Sequence, residues 1–124
     1  MILVIGGAYQ GKLEYVLENY PHKSVFRCSA DNPEIDMSAD VINSFHLALL
    51  AQMRSGMDAY GCLTNMLPAL NGKIVICDDI TCGVVPIEFE TRMWRETAGR
   101  SMTLLSKNAR EVIRVFCGIG SRIK

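Results

Sequence analysis

The sequence predicts an α/β fold: a mostly parallel sheet with helices on both faces, in three layers. Three observations point to it. Short apolar runs at residues 2–5, 73–77 and 111–117 read as strands. Between them lie stretches with apolar residues at helical spacing. A glycine-rich loop with a lysine follows the first run at once, where a strand hands over to a helix. Strands that alternate with helices imply a parallel sheet covered on both sides.

Each element has its own justification. Residues 2–5 are uniformly apolar, as a strand buried on both faces must be. Residues 11–20 form a helix whose buried face carries Leu13, Val16, Leu17 and Tyr20, and Pro21 stops it. Residues 24–28 give a second short strand. Residues 29–40 are rich in Asp, Asn, Pro and Ser and form a surface connection. Residues 40–53 carry Val41, Phe45, Ala48, Leu49 and Met53 in a helical stripe, although 41–45 reads equally well as a brief strand. Gly56 and Gly61 punctuate the next stretch, and residues 57–70 are helical, ending near Asn71-Gly72. KIVIC, residues 73–77, is the clearest internal strand, bounded by a turn signal and two aspartates. Residues 87–108 form a long helix entered through Pro86, bearing Phe89, Met93, Trp94, Ala98, Met102 and Leu105. EVIRVFC, residues 111–117, is the last strand. No repeat, low-complexity tract or linker interrupts the chain, so residues 1–124 read as one domain.

Composition narrows the function. Apolar residues make up 49% of the chain, enough for a core. Lys plus Arg equals Asp plus Glu at 13 each, so bulk charge does not suit the chain to coat nucleic acid or an anionic membrane. No segment reaches the length of a membrane span, and the N-terminus lacks the pattern of a signal peptide. The cysteines, Cys28, Cys62, Cys77, Cys82 and Cys117, are odd in number and form no C-x-x-C pair. Cys77 and Cys117 end strand-like runs, where a reduced thiol packs as a small hydrophobe. A reduced, cytoplasmic protein without a zinc site is the simplest expectation.

The chemistry concentrates in two places. The first is GGAYQGK, residues 6–12, which contains G-x-x-x-x-G-K directly after a strand. In such a loop the backbone N–H groups of Gly6, Gly7, Ala8, Tyr9, Gln10, Gly11, Lys12 and Leu13, with the following helix end, cradle phosphate oxygens. Lys12 offsets the charge of the terminal phosphates. The position after Lys12 ordinarily carries Ser or Thr to meet a magnesium ion; here it is Leu13. The implied fold is P-loop NTPase-like, and the implied ligand is ATP or GTP with Mg2+. The second place is Asp78-Asp79 after KIVIC. A carboxylate at the C-terminal end of a parallel strand sits where ligands bind, to hold metal. A turn or helix cap explains it equally well. His22 lies in a turn, and His46 has no evident carboxylate partner. The methionines Met53, Met57, Met66, Met93 and Met102 read as core filler, and Trp94 as core or subunit contact.

These motifs together resemble the adenosylcobinamide kinase / adenosylcobinamide-phosphate guanylyltransferase family of cobalamin biosynthesis. That family's loop has the form GGARSGKS; here it is GGAYQGKL. A segment like NEVGMGIVP corresponds to DDITCGVVP, residues 78–86, with Gly83, Val84, Val85 and Pro86 in register. A helix like RRFRDLAGRLNQ corresponds to TRMWRETAGRSMT, matching at Arg92, Arg95, Ala98, Gly99 and Arg100. The ending VAGLPLRLK corresponds to FCGIGSRIK. The chain also departs from the family. Its middle is short, the histidine that accepts GMP has no counterpart, and Asn43 stands in place of a strand-end aspartate.

The resemblance implies a kinase that transfers a phosphoryl group from ATP or GTP to the hydroxyl of adenosylcobinamide, with the guanylyltransferase half lost. Lys12 and Asp79 would be catalytic, and Asp78 and Asp79 would hold the metal. A cobinamide-type corrinoid is the implied substrate and a homo-oligomer, a trimer, the implied assembly. The alternative is a non-catalytic nucleotide-binding relative, a regulatory or assembly subunit, as Leu13 and Asn43 suggest.

Overall fold

The apolar runs pair side by side. In the computed structural model, which describes residues 1–84 and 86–124, β1 (Ile2–Gly6) lies at the centre of the sheet. It pairs in parallel with β4 (Ile74–Asp78) on one side and β5 (Glu111–Phe116) on the other. Beyond β4 follow β3 (Val41–Asn43) and β2 (Val25–Arg27), both parallel. Beyond β5 comes β6 (Ile119–Arg122), which is antiparallel. The six strands stand in the order β2-β3-β4-β1-β5-β6.

Alternation along the strands sorts the side chains into two cores. One face carries Ile2, Val4, Ile74, Ile76, Ile113 and Val115, which close on Val16 of α1 (Lys12–Asn19). The other carries Leu3, Ile42, Val75, Cys77 and Val112. They pack on Phe45 and Leu49 of α2 (Phe45–Arg54), Leu63 of α3 (Ala59–Met66) and Ala98 and Leu105 of α4 (Phe89–Asn108). The three-layer α/β architecture expected from the sequence is therefore present. Strands buried on both faces need continuous apolar runs, and KIVIC and ILVI supply them.

Several boundaries differ from expectation, each for a local reason. Residues 41–43 form a strand, not the start of a helix. Ser44, at a left-handed φ of 58°, turns the chain from strand into α2. The helix expected over 57–70 begins only at Ala59, where Asp58 caps it by accepting from the Gly61 N–H at 3.1 Å. Its last turn tightens to a 3₁₀ turn at Leu67–Leu70. β6 lies beyond the last strand expected from the sequence, residues 111–117. Glycines at 118 and 120 hide its apolar pattern, but Cys117 and Gly118, at φ 51° and 75°, build the two-residue hairpin turn that strand twist favours. A Cβ at Gly120 would lie 2.3 Å from the Tyr15 ring of α1, so the glycine lets that ring pack flat on β6 and a larger residue would displace it.

Some expected core residues are outside. Leu17 is exposed because α1 is short and covers only the sheet centre. Cys117 is exposed because it sits in the hairpin turn. Met57, Met93 and Phe89 are exposed along the open start of α4 and the turn facing it, whereas Met53, Met66, Met102 and Trp94 do pack on the core. No helix among the described residues is long and apolar enough to cross a membrane. Val85, part of the segment that carries the family resemblance, lies outside the described residues.

Candidate functional site

The phosphate-loop candidate sits at the C-terminal edge of the sheet, between β1 and α1. Gly6 leaves the sheet where a side chain would collide: a Cβ would fall 2.4 Å from the Val115 carbonyl oxygen. Gly11 starts α1 from a left-handed conformation, φ 82°. Between them Gly7, Ala8 and Tyr9 are exposed, and Tyr9 itself takes a left-handed φ of 59°. The far side of the loop is tied down. The Gln10 carbonyl accepts from the Gly118 N–H at 2.8 Å. Its side-chain Oε1 accepts from the Cys117 N–H at 2.7 Å. The hairpin that the sequence reading missed thus props up the loop. Leu13 is half-buried and packs into the α1 side of the core.

The backbone of this loop is open to a ligand. Among the described residues, the N–H groups from Gly7 to Glu14 have no well-formed protein acceptor, the Gln10 N–H only leaning toward the Gly7 carbonyl across the turn at residues 8–9; the first helical bond runs from the Tyr15 N–H to the Gly11 carbonyl. Such orphan donors at a helix start, with the helix dipole behind them, favour an anion.

Lys12 is buried, 7% exposed, and aims back into the loop. Its ammonium donates to the Gly7 carbonyl at 2.6 Å and lies 2.7 Å from Asp78 Oδ1. Asp78 is brought there by the pairing of β4 with β1, which sets Asp78 opposite Gly6. The other Asp78 oxygen, Oδ2, lies 3.5 Å from His46 Nε2. The expectation that His46 lacks a carboxylate partner is therefore wrong. Both residues stand at the same sheet edge, because His46 opens the helix after β3 and β3 neighbours β4. The Asp78 N–H donates to His46 Nδ1 at 3.2 Å, which leaves the imidazole proton on Nε2, toward the carboxylate. Burial holds the His46 pKa below its ordinary value; Asp78 opposes that shift and Lys12 reinforces it. Next to it the Cys77 thiol is pushed up to about 12, chiefly by burial, and stays inert.

Asp79 continues the edge. Its N–H donates to the Gly6 carbonyl at 2.8 Å, which fixes the start of the loop against the end of β4. Burial raises the Asp79 pKa, but hydrogen bonds from the Thr81 hydroxyl, the Cys82 thiol and the Thr81 N–H outweigh it, so the net shift is downward. Oδ1 accepts from Thr81 and Oδ2 accepts from Cys82 at 3.1 Å. Arg95 of α4 then gathers the carbonyls of Thr81, Gly83 and Val84. Asp79 is thus both a turn carboxylate and a neighbour of the loop. His22 is exposed in its turn, at φ 63°, far from this chemistry in character.

The fit to a magnesium nucleotide divides in two. The phosphate half fits: free amides, a helix start and an ammonium. The metal half is weaker. Magnesium in such sites takes one or two carboxylates, with phosphate oxygens and water. Asp78 and Asp79 stand at the correct edge, but the first is engaged by Lys12 and the second by Thr81 and Cys82. Leu13 offers no oxygen. No group of three or more His, Cys, Asp or Glu gathers into a metal site among the described residues. No family model and no curated protein matches the chain.

Of the residues singled out in the sequence, Gly6, Gly7, Gly11, Lys12, Asp78 and Asp79 meet at one edge. His46, Trp94 and Arg95 were missed as members of that edge. The signal was present for His46: a residue just past one strand shares an edge with the end of the adjacent strand. It required the strand order, which periodicity does not give.

Proposed function

We propose that this chain binds ATP or GTP by its phosphates in the loop of residues 6–13, on a P-loop NTPase-like fold. The observation that carries the reading is the run of N–H groups from Gly7 to Glu14 that find no well-formed acceptor among the described residues, beside the Lys12 ammonium. A polyanion satisfies those donors and offsets that charge together. The resemblance to the adenosylcobinamide kinase family extends the proposal to phosphoryl transfer onto the hydroxyl of a cobinamide-type corrinoid in cobalamin biosynthesis, in a cytoplasmic homo-oligomer, a trimer, with the guanylyltransferase half lost. Lys12 would draw charge from the terminal phosphate. Asp78 and Asp79 would hold Mg2+, which neutralises phosphate charge when bound.

A second reading, a non-catalytic nucleotide-binding subunit, is favoured by Leu13 and by the prior engagement of both carboxylates. Calorimetric titration with ATP and GTP, with and without magnesium, tests the shared part. Binding is expected, and Lys12→Ala should abolish nucleotide-induced thermal stabilisation while the fold persists. An unchanged thermal shift in Lys12→Ala rejects the loop assignment. Magnesium-dependent turnover then selects the kinase, and binding without turnover selects the subunit.

A further inference from the structure

Three ionisable side chains from three segments meet at the loop: Lys12 at the start of α1, His46 in the first turn of α2, and Asp78 at the end of β4. Lys12 and His46 are both buried. Asp78 is gripped at several points. Its N–H donates to His46 Nδ1 at 3.2 Å, its Oδ2 faces His46 Nε2 at 3.5 Å, and its Oδ1 meets the Lys12 ammonium at 2.7 Å. His46 is in turn fixed from α4. Trp94 Nε1 donates to the His46 carbonyl at 2.7 Å, and the two rings stack with centroids 6.1 Å apart. The nucleotide reading gives His46 no task.

We propose that His46 is a positioning residue: it anchors Asp78 so that the Asp78 carboxylate holds the Lys12 ammonium as an internal counter-ion, which an incoming phosphate must displace. The proposal rests on the loop being the phosphate site. An ammonium has three donors; two are committed here, to the Gly7 carbonyl and to Asp78. A carboxylate so close to the lysine competes with a polyanion for it and also repels that polyanion, more strongly in a buried setting than in water. Leucine at position 46 would strip Asp78 of its N–H acceptor and of the Nε2–H that faces Oδ2. Asparagine would keep an acceptor for the N–H.

The test is metal-free calorimetry with inorganic tripolyphosphate, combined with acylation of lysines read by mass spectrometry. Asp78→Asn should tighten tripolyphosphate binding about tenfold, and His46→Leu by a smaller factor of about three. His46→Asn should stay near the parent. The double variant Asp78→Asn/His46→Leu should bind no tighter than Asp78→Asn alone, since His46 acts through Asp78. Lys12 should be acylated more slowly than exposed Lys23 and Lys107 in the parent, and faster in His46→Leu and Asp78→Asn than in the parent. Weaker binding in His46→Leu, or fully multiplicative effects in the double variant, overturns the proposal. So does a parent in which Lys12 reacts as fast as Lys23, a measurement that stands even where a variant does not fold. Tripolyphosphate binding with no change in any folded variant also overturns it. A parent that binds no tripolyphosphate, yet whose variants expose Lys12 to acylation, removes the loop reading and leaves the counter-ion intact.

Discussion

At the scale of single residues, His46 gives the protein a pH signature. Its folded pKa lies below the ordinary 6.5, so the unfolded chain takes up a proton first. Unfolding is therefore favoured as pH falls below about 6.5, and the contribution is fully present above that value. We expect thermal stability to decline as the pH falls from about 6.5 toward the lower folded-state pKa. His46→Asn should flatten this limb of the melting profile; an equally steep limb in the variant assigns the decline to other groups. How much of the site the sequence revealed follows from the same residues. Gly6, Gly11 and Lys12 were legible because a strand, a tight turn and a helix start impose their residue types over a few consecutive positions. The contact of His46 with Asp78 spans thirty-two residues. Nothing local encodes it; only the adjacency of β3 and β4 does.

At the scale of elements, β1 and β4 were the plainest strands in the sequence because they are buried along nearly their whole length, while the exposed edge strand β2 gave only a short apolar signal. The missed strand, β6, has one apolar residue among its four, and exists through its hairpin turn and its pairing with β5. The start of α2 was ambiguous because Val41, Ile42 and Phe45 suit either period, and tertiary pairing with β4 settled it as strand then helix. The hairpin also supports the loop. Gln10→Ala removes the acceptor of the Cys117 N–H, with an expected loss of about 1 kcal/mol of stability and weaker phosphate binding. Denaturant melts and tripolyphosphate titration read the two effects separately. A variant with unaltered binding would show that the loop keeps its shape without that prop.

At the scale of the whole molecule, the sheet is closed off unevenly. The α1 side and the α2–α4 side bury the two cores. Apolar side chains nevertheless remain exposed at Met57, Phe89 and Met93, around a cleft of about 470 Å³ that Met53 also lines. Another exposed set, Phe116, Ile119 and Ile123, lies along the β5–β6 ribbon. The trimer proposed from the family resemblance can be tested directly. Sedimentation equilibrium should give three times the 13.8 kDa chain mass, and a mass that stays at one chain over the micromolar range rejects the trimer. Oligomeric state was not legible in the sequence by periodicity, because Phe89 and Met93 fit a core stripe as well as an outer one.

The tie between Gln10 and the Cys117–Gly118 turn joins positions more than a hundred residues apart. During synthesis the bend at residues 6–13 emerges about a hundred residues ahead of the turn that braces it. Any anion the bend takes up would therefore meet an unbraced backbone until the hairpin has emerged, and a nonsense codon between the two would leave the bend without its brace for good.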